Sequence, residues 1–255
     1  MPTHNKDKLK ILIHSMKPGT VMLASWLKEL GISGDLQKYY RKSGWIESVG
    51  RGAFKKTGDH INWQGAVYAL QEQSKLKVHV GALTALSLYG LSHYIRRSEE
   101  TIFLFMPGKG RLPEWFIRYD WGNPVHLYQT TFLPGTEGIN SYSETNFSLK
   151  ISSPERAILE CLYLAPDTID LVECFHLMEG LVNLRPGLLQ KLMQNCRSVK
   201  VKRLFLYLAE KVNHQWFRFI DLSVIDLGKG NRRLAKESVY ISKYQISIPR
   251  ELAEL

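Results

Sequence analysis

Residues 23–44, Leu23 to Gly44, read LASWLKELGISGDLQKYYRKSG, and this stretch decides the fold. Leu23, Trp26, Leu27 and Leu30 recur at the spacing of one helical face. Gly31 then sits where a helix can end on a left-handed residue, a conformation that glycine adopts without a steric penalty. Ser33 is placed to cap a third helix running to about Ser43, its hydroxyl accepting an otherwise orphan backbone N–H. Two helices joined by a turn this short and containing glycine form the helix-turn-helix pattern. On the N-terminal side, Leu9, Leu12, Ile13 and Met16 predict another helix, stopped by Pro18-Gly19. On the C-terminal side, Trp45–Val49 predicts a strand, Gly50-Arg51-Gly52 a turn and Ala53–Lys56 a returning strand. The order helix, helix-turn-helix, hairpin is that of a winged helix over residues 1–58.

Projected at about 100° per residue, the third helix turns Leu36, Tyr40 and Ser43 inward. Gln37, Lys38, Arg41 and Lys42 fall on one contiguous outer arc. Arginine matches guanine O6 and N7, glutamine matches adenine N6 and N7, and lysine reaches phosphate or guanine. A solvated helix face usually mixes signs, whereas this arc carries three cations and no anion. Arg51, Lys55 and Lys56 on the hairpin are placed to hold phosphate or enter the minor groove.

Charge supports that direction. The 255 residues carry a formal charge of +10, and it is segregated. Residues 1–58 hold 11 Lys/Arg against 4 Asp/Glu, residues 59–196 hold 11 against 14, and residues 197–250 hold 12 against 4. Two basic segments flanking a slightly acidic middle suit a polyanionic partner better than a uniform solubilising charge. No run approaches the ~20 apolar residues of a membrane span, and no basic helix shows an unmixed apolar face. The polar N-terminus and three cysteines without CxxC spacing (Cys161, Cys174, Cys196) fit a cytoplasmic protein with reduced, buried thiols.

From about His60 the pattern changes, and residues 59–255 read as a larger mixed α/β domain, making the chain α+β overall. Helices are expected at Asn62–Gln73, Ala82–Leu91, Ser153–Leu164, Ile169–Leu181, Arg185–Asn195 and Val199–Val212. Strands are expected at Lys77–Val80, Thr101–Met106, Val125–Thr130, Phe147–Ile151, Phe217–Ile220, Val239–Tyr240 and Gln245–Ile248, with a loop over 134–146. In the basic tail, Lys200, Lys202, Arg203, Arg218, Lys229, Arg232 and Arg233 form a possible second DNA contact. Backbone N–H groups of Gly228-Lys229-Gly230 with adjacent arginines could hold a phosphate; a solvated basic hairpin is an equal alternative.

Catalytic patterns are missing. There is no HExxH, no G-x-S-x-G elbow, no P-loop and no Glu/Asp-x-Lys pair of the kind that holds nuclease metals. His79, His93, His126 and His176 are scattered, and core or surface roles suit them better than ligation. No enzyme activity, metal or cofactor is expected. A nucleic-acid-processing enzyme with a winged-helix targeting domain stays open as the alternative.

Several blocks resemble the AbiEi-type transcriptional regulators, the antitoxins of type IV toxin–antitoxin systems. They are Ala24–Leu27 through Leu36–Tyr40, Ser43–Ile46, Gly50–Phe54, Trp63–Ala66, His79–Gly81 with Thr84–Leu86, Ser152–Ala157, Lys202–Leu206 and Leu227–Arg232. The sequence departs from the pattern at Ala82, where a second glycine is expected, and near Glu237-Ser238. The resemblance implies a repressor that binds double-stranded DNA at the operator of its own operon. It also implies a C-terminal domain that neutralises a co-encoded nucleotidyltransferase-like toxin, generally without stable contact, although direct binding of the toxin is an alternative.

Overall fold

The computed structural model describes residues 3–91, 101–234 and 237–255. The chain opens with α1 (Thr3–Ser15), β1 (Met22–Leu23), α2 (Ala24–Glu29), α3 (Gly34–Lys42), β2 (Ile46–Gly50) and β3 (Ala53–Lys56). β1 and β2 flank β3 in an antiparallel sheet, with Met22 opposite Phe54 and Ile46 opposite Lys56. Leu12, Met22, Leu27, Ile32, Tyr40, Ile46 and Phe54 form the core between this sheet and the three helices. Truncating a side chain as enclosed as Leu27 to alanine is expected to cost about 2–5 kcal/mol. The spacing misplaced two residues. Leu23 belongs to β1, opposite Ala53, rather than to the face of α2. Ile13 is 45% exposed, and the buried side of α1 is carried by Leu12 with Leu9 and Met16 packed beside it.

The connection to the rest of the chain is a tight joint. Asn62 caps α4 (Trp63–Tyr68), its side chain accepting from Gly65 N at 2.9 Å. Gly65 lies so close to the turn before β1 that a Cβ there would come within 1.8 Å of Gly19 O. α4 runs on into one π-helical turn, Ala69–Gln73, which aims two glutamines at two different sheets. Buried Gln73 accepts from Leu23 N at 2.8 Å and donates to Val21 O at 2.8 Å, completing the open edge of β1. Buried Gln71 donates to Val78 O and Lys150 O, both at 3.0 Å, and accepts from Lys150 N at 2.8 Å. Each primary amide thus replaces a missing stretch of strand ladder. A second apolar cluster runs straight through the joint, joining Val21, Leu23 and Ala53 to Val67, Leu70, Val80, Leu104 and Trp115.

The larger part begins with β4 (His79–Val80), α5 (Ala82–Leu88), β5 (Ile102–Met106), α6 (Glu114–Arg118), β6 (Val125–Gln129), β7 (Ile139–Ser143) and β8 (Ser148–Ser152). Its mixed five-stranded sheet has the order β6-β5-β4-β8-β7. β5 is buried at every position, as its unbroken apolar run predicts. α7 (Pro154–Leu164), α8 (Leu171–Gly180), α9 (Pro186–Asn195) and α10 (Val199–Val212) form the helical core. A small sheet of β9 (Arg232–Arg233), β10 (Ser238–Ile241) and β11 (Ile246–Pro249), in the order β10-β11-β9, and α11 (Arg250–Glu254) close the chain. The fold is α+β, as expected. The sequence reading also lacks β1, α6, β9 and α11, and two of its assignments change. Residues 139–143, read as loop, form an edge strand, and 217–219, read as strand, lie in a 3₁₀ turn (Gln215–Phe219).

One buried carboxylate ties the larger part together. Glu160 on α7 is fully enclosed and accepts from His79 Nε2 at 2.9 Å, Arg156 Nε at 3.0 Å, Ser152 Oγ at 2.8 Å and Ala82 N at 3.0 Å. Burial pushes its pKa up, but His79 and Arg156 outweigh that and hold it below the usual carboxylate range. Ala82, where the resemblance leads one to expect glycine, has φ +45°, the left-handed region that glycine enters without strain.

Candidate nucleic-acid interface

Gly31 ends the first helix of the helix-turn-helix at φ +78°, and Ser33 Oγ accepts from Leu36 N at 3.3 Å to start α3. Both ends of the turn are therefore fixed by local chemistry. Asp35, exposed in the first turn, faces the positive end of the helix dipole. Tyr40 is buried and holds α3 down, and its burial pushes its phenol pKa up.

Gln37 does not join the outer arc. It is 4% exposed, and its Nε2 donates to Ala24 O at 3.0 Å and to Ile32 O at 2.9 Å. These two hydrogen bonds at the helix-turn-helix corner satisfy the buried amide and hold it inward. The buried side of α3 is consequently rotated toward Tyr40 and Gln37. Lys38, Arg41 and Lys42 remain exposed, joined by Tyr39 at 59% exposure. The helical projection does not announce Tyr39, because it lies only about 60° from Leu36, beside the side read as inward.

The wing divides in the same way. Arg51 at the hairpin tip and Lys56 on β3 are exposed. Lys55 is not free to grip phosphate. Its Nζ lies 3.1 Å from Glu47 Oε1 and donates to Asp59 O at 2.9 Å, and that lysine holds the Glu47 carboxyl below its ordinary range. Among the described residues, Lys38, Arg41, Lys42, Arg51 and Lys56 make no ion pair.

The basic tail separates further. Lys200 donates through Nζ to Tyr163 O and Ala165 O, the carbonyls that end α7, and its burial lowers its pKa. Lys202 is 5% exposed and Arg203 is 1% exposed. The Arg203 guanidinium donates to the carbonyls of Leu227, Gly228, Gly230 and Gln245 and to Gln245 Oε1. These three cations are structural. The Gly228–Gly230 turn also reverses the expected polarity: its carbonyls wrap a cation, and Gly228 N donates to Asp226 Oδ1 at 2.8 Å rather than to an anion. Arg218, Lys229, Arg232 and Arg233 are exposed.

Of the scattered histidines, His79 is buried on Glu160, His176 pairs with Glu179 at 2.9 Å, His126 is exposed, and His93 lies outside the described residues. The three cysteines are buried free thiols, and burial raises the pKa of each. Among the described residues there is no cluster of three or more His, Cys, Asp or Glu side chains able to hold a metal ion, and no helix long and apolar enough to cross a membrane.

A three-stranded wing, a helix-turn-helix and an open cationic face on the second helix place this chain among the winged-helix proteins. Family models then divide it between them. Residues 5–97 match "Transcriptional regulator, AbiEi antitoxin N-terminal domain", and residues 99–249 match "Transcriptional regulator, AbiEi antitoxin, Type IV TA system". The chain belongs to the AbiEi antitoxin family of transcriptional regulators of type IV toxin–antitoxin systems. The fold is similar to the crystal structure of the RV2827C protein from Mycobacterium tuberculosis, at a TM-score of 0.57 and 14% identity, over 89% of this chain and 86% of that one. No curated protein matches in sequence.

Proposed function

We propose that the protein represses its own operon by binding the operator as double-stranded DNA, and acts as antitoxin to a co-encoded nucleotidyltransferase-like toxin. Residues 1–58 are the DNA-binding unit and residues 59–255 the antitoxin part. α3 enters the major groove with Lys38, Arg41 and Lys42 toward bases and phosphates, Tyr39 beside them, while Arg51 and Lys56 of the wing hold the backbone. Arg218, Lys229, Arg232 and Arg233 supply a second phosphate contact. The observation that carries this reading is the exposed cationic face of α3, without ion-pair partners among the described residues, next to an exposed wing.

The test is fluorescence anisotropy with a DNA fragment from upstream of the protein's own reading frame, against unrelated DNA of equal length. The full chain is expected to prefer its own fragment, and K38A/R41A/K42A is expected to bind it at least about 100-fold more weakly. Equal affinity of the triple variant and the parent would remove α3 from the interface. The antitoxin part is tested separately by co-expression with the neighbouring nucleotidyltransferase-like protein. Relief of growth arrest by the triple variant is expected, and arrest that the parent chain cannot relieve would overturn this half.

A further inference from the structure

A cleft of about 760 Å³ opens where the five-stranded sheet loses its middle strand. β4 has only two residues, so the segment before it, Lys75–Val78, runs along the cleft while β5 and β8 continue on either side. Packing defects in protein interiors are rarely larger than a water molecule, and small-molecule sites occupy roughly 300–1,000 Å³. This opening is of the second kind. It lies apart from the α3 face, and its walls belong mostly to the larger part of the chain.

Its chemistry is graded from depth to mouth. Deep in the wall, the Phe105 ring stacks on the His79 imidazole at 5.8 Å between centroids and on Tyr128 at 5.5 Å, and at 2% exposure it closes the cleft with little area of its own. His79 is 5% exposed; its Nε2 is engaged by Glu160, and no described residue takes its Nδ1. Because Glu160 and Arg156 lock one another, this wall is rigid before any ligand arrives. Thr130, Asn140 and Ser141 add hydroxyl and amide groups to the lining. At the mouth stand Lys17, Lys75, Lys77 and Lys150, facing one carboxylate, Glu72, which lies 3.7 Å from Lys75 and 3.3 Å from Lys150. The lysines exceed what Glu72 neutralises, so the mouth attracts anions, and the cleft behind it has the volume and the hydrogen-bonding lining for a base.

We propose that this cleft binds a nucleoside monophosphate, with the phosphate among the lysines and the base in the cleft behind them, within reach of Thr130, Asn140 and Ser141. A free mononucleotide and the 5′-terminal nucleotide of a strand share that chemistry. This site does not depend on the DNA-binding reading of α3.

The test is isothermal titration of the full chain with AMP, GMP, CMP and UMP, with inorganic phosphate as control and a 5′-phosphorylated trinucleotide as the second arm. At least one monophosphate is expected to bind saturably and more tightly than phosphate. K75A/K77A/K150A, which changes only exposed lysines, is expected to weaken it by about tenfold or more. Ser141→Trp at the lining is expected to abolish binding while the thermal midpoint stays put. K38A/R41A/K42A is expected to bind the nucleotide as the parent does. Tighter binding of the trinucleotide assigns the strand end and tighter binding of the mononucleotide assigns the free ligand; either upholds the site. Absence of saturable binding for all four, indifference to both cleft variants, or equal affinity for inorganic phosphate would overturn it.

Discussion

Two segments of this chain are almost equally basic, residues 1–58 at a net +7 and residues 197–250 at a net +8, yet the structure treats their charges in opposite ways. On α3, Lys38, Arg41 and Lys42 stand in solvent. In the tail, Lys200 caps α7, Lys202 is buried, and Arg203 gathers the carbonyls of a returning loop. Net charge reports an excess of cations but not where their donors point. A guanidinium whose donors are spent on backbone carbonyls has little left for phosphate, however basic its neighbourhood.

The sharpest way to test that contrast is to exchange the fates of the two kinds of arginine. Arg203→Met is expected to destabilise the fold by about 3–5 kcal/mol, because several buried carbonyls lose their donor. Urea unfolding would show it, with any surviving protein keeping the parent's salt dependence for DNA. Arg41→Ala is expected to do the reverse, leaving the unfolding midpoint in place and lowering operator affinity by about 1–3 kcal/mol. If Arg41→Ala destabilises and Arg203→Met does not, the contrast between the segments is wrong.

Acid should expose the buried network in the larger part before it disturbs the α3 face. Glu160 has a folded pKa below its unfolded value, so its stabilisation is present at neutral pH and is lost as pH falls through the carboxylate range, below about 5. The loss at pH 4 relative to pH 7 is expected to be smaller in Glu160→Gln than in the parent, although the variant is less stable at neutral pH. Identical pH dependence in the two would detach Glu160 from the acid response. The smallest effect belongs to the wing. Lys56→Ala is expected to flatten the salt slope of DNA binding by about 0.9, the share of one phosphate contact, whereas Lys55→Ala should leave it nearly unchanged. Equal slopes for the two variants would erase the distinction drawn by Glu47.

What could be read from the sequence was what local chemistry decides. Gly31 and Ser33 announce a helix stop and a helix start because their backbone roles depend on residues within one turn. The β5 run and the helices α7 to α10 follow from apolar spacing for the same reason. The inward turn of Gln37 is not legible in the helical projection because one of its partners, Ala24 O, becomes a neighbour only once the helix-turn-helix has closed. The burial of Arg203 is not legible in the sequence because Gln245, 42 residues away, returns to meet it. β7 reads as loop in the sequence because Ile139–Ser143, at a sheet edge, is mostly polar and lacks a buried alternating face. Among the site residues, Lys38, Arg41, Lys42, Arg51 and Lys56 stay where the helical and hairpin patterns put them, whereas the tail needed the tertiary structure to be sorted.

The two amides of the π-helical turn carry a consequence for mechanics. With Gln73 holding the outer edge of β1 and Gln71 holding β8, the winged-helix unit is bolted to the body rather than hung from it on a leash. A chain cut after residue 58 would leave Leu23 N and Val21 O without the partner that completes their strand, and would bare the apolar underside of the wing. Any macromolecule that tilts the body must therefore tilt α3 with it, and such an encounter is passed to the wing as rotation, with no slack to take up.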